Sequence, residues 1–338
     1  MSRYAAAYAK PKGPGDARPT ALQIVKDEEL VGKLTDKVAL VTGANSGIGL
    51  ETARALHATG VTLFITARDS TKAQKAIDDI LAGPDGKSGA PIHALELRLD
   101  SLKSVRAAAK AFLDQSEKLN LLILNAGIMC TPEGKTEDGF ELQFGTNHLG
   151  HFLLFQLLKP AFLSGTTPSF QSRVVAVSSI AHNDSGIRFH DLNFEKEPYN
   201  PWIAYGQSKT ANIYLANEIE RRYGSKGLHA LSLHPGVIFT NLAQHMDTTA
   251  WISSMTEDDK NELKSVPQGA ATTIYAALSK EWEGRGGKYL NNCAVDPPIP
   301  AGKKWQEGAS GHAVWAYDKD SAISLLDESN KLVGLSEE

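Results

Sequence analysis

Cysteine is scarce in this sequence: Cys130 and Cys293 are its two cysteines in 338 residues. Two thiols cannot build a disulfide framework, and they are too few for a cysteine-based zinc site. His148 and His151 have the spacing of one helix face, but no nearby carboxylate or cysteine joins them. Packing is therefore favoured over metal binding, and no metal site is predicted.

Long apolar runs are missing as well. The longest, HFLLFQLLKPAFL, is interrupted by Lys159 and Pro160 and is too short to span a bilayer. No apolar segment stands at the start of the chain, so no secretory signal is predicted. The net charge is only −4, and no block of Lys or Arg favours nucleic acid. We therefore expect a cytoplasmic protein with no integral membrane segment and no nucleic-acid partner.

Short apolar segments and amphipathic segments alternate from Lys37 onward. The strand candidates are KVALVTG, VTLFITAR, IHALELRL, LNLLILNAG, SRVVAVSS, LHALSLHPG and GGKYL, with helical patterns between them. This alternation favours right-handed βαβ crossovers. We predict an α/β fold with a single Rossmann-like domain: a doubly wound parallel sheet of about seven strands with helices on both faces.

Composition divides the chain into three regions. Residues 1–33 are predicted to be a tail, mobile up to about residue 18 because it is rich in Pro and Gly, followed by a short helix. Residues 34–295 form the Rossmann-like catalytic domain, including a substrate lid at about 237–265. Residues 296–338 form an extension whose helix, KDSAISLLDESNKLVG, could cover the pocket or serve an interface.

Two helices have predicted boundaries that the structure can test. In TALQIVKDEELVG, Thr20 and Gln23 fit a capping box, and Gly32 fits a stop. A second, long apolar helix is expected from about Asp138 to Leu163.

The glycine-rich segment TGANSGIG lies between the first predicted strand and the first predicted helix of the sheet. Its glycines let backbone N–H groups and a helix N-terminus approach a pyrophosphate. A glycine-rich turn without a ligand is the alternative, but the strand–turn–helix context favours a nucleotide. Ser46 is in addition a candidate phosphate contact. The candidate cofactor residues in this turn are Gly43, Asn45, Ser46, Gly47, Ile48 and Gly49.

The second strand ends in ITARD, where an acidic residue would select NAD. Thr66 and Ala67 carry no charge, and Arg68 follows them. A guanidinium binds a 2′-phosphate in a bidentate way, so this end favours NADP, as NADPH. Asp69 could repel that phosphate, or it could cap the next helix.

Two further strand ends suit the adenosine half of the cofactor. Asp100 could accept a hydrogen bond from the adenine amino group, or it could cap a helix beside Ser101, itself a candidate N-cap. In LNAG, Asn125, Ala126 and Gly127 would let the cofactor pass close to the backbone.

Tyr205 and Lys209 form a candidate acid–base pair four residues apart. The same spacing occurs at Tyr8 and Lys12, where Pro11 argues against a helix, so the spacing alone does not identify a catalytic pair and its position in the fold is needed.

Hydride transfer to a carbonyl creates an alkoxide that needs a proton. A tyrosine is a suitable acid if its pKa falls from about 10 towards neutrality, and that shift takes about 4 kcal/mol. A cation about 4 Å away supplies that much at an effective dielectric of about 20. Desolvation acts in the opposite direction, so the charge of oxidised nicotinamide has to help.

Two polar residues complete the candidate chemistry. Ser179 ends the fifth strand, where the carboxyl ends of parallel strands border a ligand crevice, and its hydroxyl could hold the substrate oxygen. Asn147, in TNHLGHF, could hold a water that relays protons to Lys209. Each has a structural alternative: Ser179 could bond backbone, Asn147 could satisfy a buried carbonyl, and Tyr205 and Lys209 could be an amphipathic helix edge. Their joint order after the glycine-rich turn favours catalysis.

From about residue 35 to 295 the chain resembles the short-chain dehydrogenase/reductase family, because TGANSGIG, LNAGIM, TNHLGHF, VSS…YGQSK and HPG stand in the family's order. The resemblance implies Ser179, Tyr205 and Lys209 as a catalytic triad and Asn147 as the fourth member. In HPGVIFT it implies contacts that flank the nicotinamide. Those residues are Pro235, Gly236, Val237 and Thr240.

Within the family, the chain is most similar to the branch with retinol dehydrogenases and the WW-domain oxidoreductase. It departs from the family in having Leu124 where many members have Asn, and from several retinol dehydrogenases in lacking a membrane anchor. Ser179 and Tyr205 are also further apart than in most members. The missing anchor favours a reductase of hydrophobic metabolites over one of retinol.

The substrate pocket is predicted from apolar residues after HPGVIFT and from FHDLNFEKEPYNPW as an opposite wall. A small helix packed on the domain is the alternative for the first segment, and Cys130 is either a pocket neighbour or an apolar filler. The candidate pocket residues are Met129, Ser179, Trp251 and Met255. We expect a carbonyl reductase, or the reverse alcohol dehydrogenase, that acts on a hydrophobic aromatic or polycyclic molecule. A non-catalytic NADP-binding sensor is the competing hypothesis, and a homo-oligomer is left open.

Overall fold

The computed structural model describes residues 2–83, 88–303, 305 and 309–336. The strands in this part of the chain are β1 (Val38–Val41), β2 (Thr62–Ala67), β3 (Ile92–Glu96), β4 (Leu121–Leu124), β5 (Ser172–Val177), β6 (Leu228–His234), β7 (Tyr289–Asn291) and β8 (Ala294–Val295). They form one sheet in the order β3-β2-β1-β4-β5-β6-β7-β8. Neighbouring strands from β3 to β7 are parallel, and β8 pairs antiparallel with β7.

Helices precede, connect and follow the strands. They are α1 (Ala5–Tyr8), α2 (Ala21–Asp27), α3 (Gly47–Ala58), α4 (Ser70–Leu81), α5 (Leu102–Leu113), α6 (Leu142–Phe144), α7 (Gly150–Gly165), α8 (Pro201–Tyr223), α9 (Thr248–Ser254), α10 (Glu257–Glu262), α11 (Val266–Gly269), α12 (Ala271–Leu278) and α13 (Lys319–Leu332). A π-helical turn, Gly145–Leu149, joins α6 to α7, and a 3₁₀ turn, Ile180–Asn183, follows β5.

The sheet is buried on both faces, which explains the continuous apolar strand sequences. Alternate residues of β1 face opposite layers: Leu40 packs with α5, α7, α8 and α13, whereas Val41 packs with α2, α3 and α12. The prediction of a single doubly wound α/β domain is confirmed. The short antiparallel strand β8 was not predicted.

The long apolar helix begins later than Asp138. Both carboxylate oxygens of Glu141 accept backbone N–H groups, from Gln143 at 2.8 Å and from Phe144 at 2.6 Å, so the helix begins at Leu142. It also widens into the π-helical turn before α7 continues to Gly165. A periodicity read at 3.6 residues per turn does not reveal either feature.

The prediction of a mobile N-terminal tail is wrong. Tyr4 and Arg18 are buried, and the Arg18 guanidinium donates to the carbonyls of Glu262 at 2.9 Å and Leu263 at 2.6 Å. The Tyr8 hydroxyl lies 3.5 Å from the Cys293 sulfur. Composition suggested disorder, but a single buried cation and two aromatic residues fix this segment on the domain.

The capping prediction for α2 holds only at Thr20, which accepts from the Gln23 backbone at 3.2 Å. The Gln23 side chain donates instead to Asp27 at 2.6 Å, and the helix ends at Asp27, well before Gly32. The side-chain amide therefore stabilises the far end of the helix instead of completing a capping box.

The C-terminal helix α13 belongs to the core of the domain. Leu325 and Leu326 are buried in the layer that contains α7 and α8, and Ser329 contacts His148 of the π-helical turn at 2.8 Å. Residues 319–332 are therefore an integral layer element instead of an appended one. No helix in the described ranges combines the length and the apolar character that a membrane span requires.

Candidate active site

The turns that follow β1 and β4 lie against each other at the point where the strand order reverses. A Cβ added to Gly43, whose φ is +66°, would lie 2.9 Å from Cα of Ala126. A Cβ on Gly49 would lie 2.3 Å from the Gly43 carbonyl oxygen and 2.4 Å from Nδ2 of Asn125. Only glycine fits at these two positions, and the crevice between β1 and β4 is where open α/β sheets bind ligands.

The start of α3 has the features of a pyrophosphate site. Ser46 occupies the N-cap position without a side-chain hydrogen bond to the helix, so its hydroxyl is not used as a cap. Gly47 has φ +57°, and its added Cβ would lie 3.4 Å from Cγ2 of Thr240. Among the described residues, Oδ1 of Asn125 is buried without a hydrogen-bond partner. Asn45 and Ile48 lie half-buried in the same turn. These residues fit a dinucleotide.

Arg68 is exposed at the end of β2, where the sequence placed the 2′-phosphate contact. Asp69 is the N-cap of α4: it accepts from the Lys72 backbone at 2.8 Å, and its other oxygen lies 3.4 Å from Nζ of Lys72. Of the two alternatives for Asp69, the structure therefore supports the helix cap.

Asp100 does not end β3, which stops at Glu96. Its carboxylate lies 3.2 Å from the Arg98 guanidinium. Ser101 is the N-cap residue of α5 but makes no side-chain cap bond, and Asp138 accepts the Leu102 N–H at 2.8 Å instead. Asp100 is thus half-buried beside a cation and is not a helix cap.

Asn147 lies in the π-helical turn, a geometry frequent at functional sites. Its Oδ1 accepts from the Ile128 backbone at 2.9 Å. Its Nδ2 donates to the Ile128 carbonyl and to Oγ of Ser208, both at 2.9 Å. The side chain thereby holds the segment after β4 against α8. Sequence reasoning missed Ser208, although it stands next to Lys209 in YGQSK.

Tyr205 and Lys209 are both buried on α8. Nζ of Lys209 lies 5.5 Å from the centroid of the Tyr205 ring and donates to the Val177 carbonyl at the end of β5 at 3.1 Å. A Cβ added to Gly127 would lie 3.4 Å from Nζ of Lys209 and 3.1 Å from Oδ1 of Asn147. The turn after β4, the π-helical turn and α8 therefore converge at Gly127.

Ser179 follows β5 as the N-cap of the 3₁₀ turn, and its Oγ accepts from the Ala181 backbone at 3.2 Å. Burial raises the pKa of Tyr205, and a hydrogen bond with Ser179 lowers it in part. The serine therefore serves the backbone and the tyrosine at once. The Ser179, Tyr205, Lys209 and Asn147 side chains are brought to one place.

Burial also dominates the electrostatics of the lysine. It lowers the pKa of Lys209 from 10.5 to about 8. In the protein alone, the pKa of Tyr205 therefore stays above its ordinary value, against the fall expected from the sequence, because burial outweighs the hydrogen bond with Ser179. A protonated tyrosine beside a protonated lysine is the state of the unliganded site at neutral pH.

Tyr205 is also part of an apolar cluster. The ring packs in a cluster with residues from the turn after β4, the 3₁₀ turn and the segment after β6, and the exposed Trp202 ring lies 6.5 Å away. The members of this cluster are Met129, Cys130, Ala181, Tyr205 and Ala243, with Met246 packed against it. Met129 was expected here, and Cys130 packs in the cluster as a buried apolar residue. Trp251 and Met255 lie outside the cluster, and the Trp251 ring packs on Phe239 at 5.4 Å.

The segment after β6 is held by a residue that sequence reasoning missed. Lys264 is buried, and its Nζ donates to the Pro235 carbonyl at 3.1 Å and to Oδ1 of Asn292 at 2.7 Å. Its backbone N–H donates to the Val237 carbonyl at 3.0 Å. A Cβ on Gly236, at φ +105°, would lie 2.7 Å from Cδ of Lys264. A single lysine in a polar stretch gave no sequence signal for this role.

Comparison with known proteins connects these features to a family. The family model described as short chain dehydrogenase matches residues 37–251. Short-chain dehydrogenase/reductase prx1 of Penicillium roqueforti is 50% identical over 338 residues, covering 99% of this chain and 96% of the relative. Retinol dehydrogenase 12 of Mus musculus is 41% identical over 261 residues, covering 77% and 79%. A crystal structure of an uncharacterized protein from Mycobacterium Paratuberculosis superposes with a TM-score of 0.65 at 34% identity, covering 89% and 94%.

Proposed function

The chain belongs to the short-chain dehydrogenase/reductase family of oxidoreductases, which use a nicotinamide cofactor, and on this premise we propose that it is an NADPH-dependent carbonyl reductase, or the reverse alcohol dehydrogenase. Its substrate would be a hydrophobic small molecule with a ketone or aldehyde group. The observation that carries the proposal is the approach of Lys209 to Tyr205 beside Gly127, where Asn147 also meets the site.

The residues that would hold the cofactor lie along the carboxyl edge of the sheet. The glycine-rich turn and the start of α3 would bind the pyrophosphate, and Arg68 would bind the 2′-phosphate. Asp100 would contact the adenine end. The remaining contacts would come from Asn125, Ala126, Gly127, Pro235, Gly236, Val237 and Thr240. The bound dinucleotide would supply the hydride.

Four side chains would manage the proton. Tyr205 would donate its phenolic proton to the oxygen of the reduced carbonyl, and Ser179 would hold that oxygen by its hydroxyl. Lys209, protonated below a pKa of about 8, would stabilise the tyrosinate that remains. Asn147 would hold a water that returns a proton through Lys209. Burial raises the pKa of Tyr205, so the phenol would be protonated before reaction, and the charges of Lys209 and of the oxidised nicotinamide would have to lower that pKa for proton transfer.

The apolar cluster around Tyr205 supports a hydrophobic substrate. Met129 and Met246 can adapt to ligands of different shape, and Trp202 offers an exposed flat ring beside the phenol. Aromatic or polycyclic carbonyl compounds fit this chemistry. A cytoplasmic location stays a prediction of the sequence, and a homo-oligomer stays an open alternative.

A non-catalytic NADP-binding sensor on the same fold is the competing hypothesis, and Tyr205→Phe separates the two. The variant should bind NADPH like the wild type, because it retains the ring and loses only the hydroxyl, and it should lose nearly all turnover. Tyr214→Phe is the matched control: Tyr214 lies on the same helix, equally buried, and its hydroxyl donates to the Trp315 carbonyl at 2.9 Å.

The experiment measures NADPH consumption with product identification over a panel of apolar ketones, aldehydes and quinones. NADPH binding is measured in parallel by fluorescence titration. Turnover in the wild type and in Tyr214→Phe, with none in Tyr205→Phe, supports the enzyme. Undiminished turnover in Tyr205→Phe would remove the mechanism, and NADPH binding without turnover on any panel member would favour the sensor.

A further inference from the structure

The two histidines spaced for one helix face have separate partners. His148 and His151 are both fully buried. The ring of His148 faces α13, where Nε2 lies 2.8 Å from Oγ of Ser329. The ring of His151 faces the candidate active site: Nδ1 lies 3.0 Å from the Asn147 carbonyl, and Nε2 lies 2.9 Å from Oγ1 of Thr42. They do not form a metal-binding pair.

The partners of His151 define which ring nitrogen carries the proton. The Asn147 carbonyl can only accept, so Nδ1 carries the hydrogen and donates it. Burial, against the hydrogen bond to the Asn147 carbonyl and together with the nearby Lys209 charge, lowers the pKa of His151 to about 3, so the ring is neutral. In a neutral ring with a protonated Nδ1, Nε2 accepts the Thr42 hydroxyl proton.

The other hydrogen bonds of Thr42 also require its hydroxyl to donate. Its Oγ1 already accepts two backbone N–H groups from the turn after β4, from Asn125 at 2.9 Å and from Ala126 at 3.1 Å. Its hydroxyl proton therefore has to go to an acceptor. The acceptors within reach are Nε2 of His151 at 2.9 Å and the Ile123 carbonyl at the longer distance of 3.2 Å. His151 is the nearer one.

These bonds form one continuous connection. It begins at the Asn147 peptide in the π-helical turn, crosses the His151 ring to Thr42 at the end of β1, and ends at the backbone of Asn125 and Ala126. One end of it carries the candidate proton relay. The other end carries the turn against which Gly43 packs, in the candidate cofactor site.

We propose that His151 is a positioning residue that sets the Asn147 peptide relative to the turns after β1 and β4. The proposal rests on the proposed function, since Asn147 has to orient a relay water and Asn125 and Ala126 have to border the cofactor. His151 touches no reacting atom in this scheme. The two ring nitrogens affect different constants: the bond from Nδ1 to the Asn147 carbonyl supports kcat, and the bond from Thr42 to Nε2 supports cofactor affinity.

Two conservative substitutions separate these quantities. In His151→Asn, Nδ2 replaces Nδ1 as the donor to the Asn147 carbonyl, and the acceptor for Thr42 is lost. We expect near-normal kcat and weaker NADPH binding. In His151→Gln, Oε1 reaches the position of Nε2 and retains the bond to Thr42, so we expect normal NADPH binding and a reduced kcat.

In His151→Phe both bonds are lost. The kcat should fall by about 100-fold, which is the effect of a small misplacement in an active site, and NADPH binding should weaken as well.

His148→Phe is the matched control, because His148 is equally buried one turn earlier and its bond leads to α13. It should lower the melting temperature about as much as His151→Phe and leave kcat and the NADPH dissociation constant near wild type. Equal losses in His148→Phe and His151→Phe would show a merely structural role. The same kcat and the same affinity in His151→Asn and His151→Gln would also overturn the proposal.

Nitrogen NMR of the imidazole rings tests the same connection in the wild type, without any variant and without turnover. We expect a protonated Nδ1 and an unprotonated Nε2 for His151 across neutral pH. The opposite tautomer, or a ring that titrates near neutrality, would overturn the proposal. A wild type that reduces no carbonyl would overturn the proposed function alone, and the ring tautomer and the NADPH dissociation constants would then decide the role of His151.

Discussion

Nζ of Lys209 lies 5.5 Å from the centroid of the Tyr205 ring, and both side chains are buried. Burial affects the two groups in opposite directions: it raises the pKa of the phenol and lowers the pKa of the ammonium to about 8. The lysine is therefore the member of the pair that titrates near neutral pH. For the proposed carbonyl reduction, the active state would have a protonated tyrosine and a protonated lysine.

The first prediction concerns the pH profile. In the reduction direction, kcat/KM should be constant at neutral pH and fall as the pH rises through about 8, because Lys209 loses its proton there. Lys209→Arg should have a lower maximal rate and no descending limb near pH 8, because a guanidinium stays protonated throughout the measurable range. A limb that remains at pH 8 in Lys209→Arg would assign it to another group.

The second prediction concerns cofactor choice. Arg68→Ala should raise KM for NADPH far more than KM for NADH, because only NADPH carries the phosphate that the guanidinium would bind. Lys110→Ala, which removes an exposed positive charge on α5, should change neither constant. Equal effects of Arg68→Ala on both cofactors would remove the assignment. The charge of Asp69 does not affect this comparison, because Asp69 caps α4 in the wild type and in Arg68→Ala alike.

The sequence could predict the features that are local. TGANSGIG, ITARD and YGQSK each lie within a few residues at the end of a strand or on one helix, so a turn, a strand end or a helix face is enough to identify them. The parallel sheet followed from the same local patterns, whereas the reversal of strand order between β1 and β4 came from the structure.

The supporting residues could not be predicted, because their partners are distant in the chain. Thr42 meets His151 across 109 residues, and Arg18 meets the Leu263 carbonyl across 245. Neither contact leaves a periodic or compositional signal. The N-terminal segment was wrongly predicted as mobile for this reason: its Pro and Gly content was visible, and the bonds of Arg18 were not.

The third prediction concerns the lid. Met246→Ala should change the relative kcat/KM among ketones of different size and leave NADPH affinity unchanged, since Met246 packs against the cluster around Tyr205. Trp251→Ala should also alter substrate range more than cofactor affinity. Its effect should be smaller, because the Trp251 ring packs on Phe239 and lies outside that cluster. Unchanged kinetics of both variants across a ketone panel would refute the lid.

The fourth prediction concerns the N-terminal segment. The Arg18 side chain is fully buried, pairs with Asp16 at 2.8 Å and donates to the backbone carbonyls of Glu262 and Leu263, near the end of the predicted lid. Arg18→Ala should lower the free energy of unfolding by about 3 to 5 kcal/mol, because the Asp16 carboxylate loses the cation of its pair and several backbone carbonyls lose their donor. Arg3→Ala, at a half-exposed position, should change it by about 0.5 kcal/mol or less. Similar urea midpoints for the two variants would contradict the anchoring of this segment.

The fifth prediction concerns Lys264, the buried lysine that holds the turn after β6. Burial lowers its pKa from 10.5 to about 8, so between these two pH values the unfolded chain binds a proton that the folded chain does not. The free energy of unfolding should therefore rise with pH in this window, by up to about 1.4 kcal/mol per pH unit from this group. Lys264→Met lacks this contribution, so the stability of the wild type relative to the variant should grow by about 3 kcal/mol from pH 7 to 11, measured by urea unfolding. The lowered pKa of Lys209 is the same in the wild type and in Lys264→Met, so its contribution cancels in the difference.

Lys110→Met, at an exposed position, is the control, and its stability should differ from that of the wild type by a constant amount over the same pH range. A pH-independent difference for Lys264→Met would mean that the folded protein holds Lys264 at its ordinary pKa, and that its bonds to the Pro235 carbonyl and to Asn292 fully offset its burial.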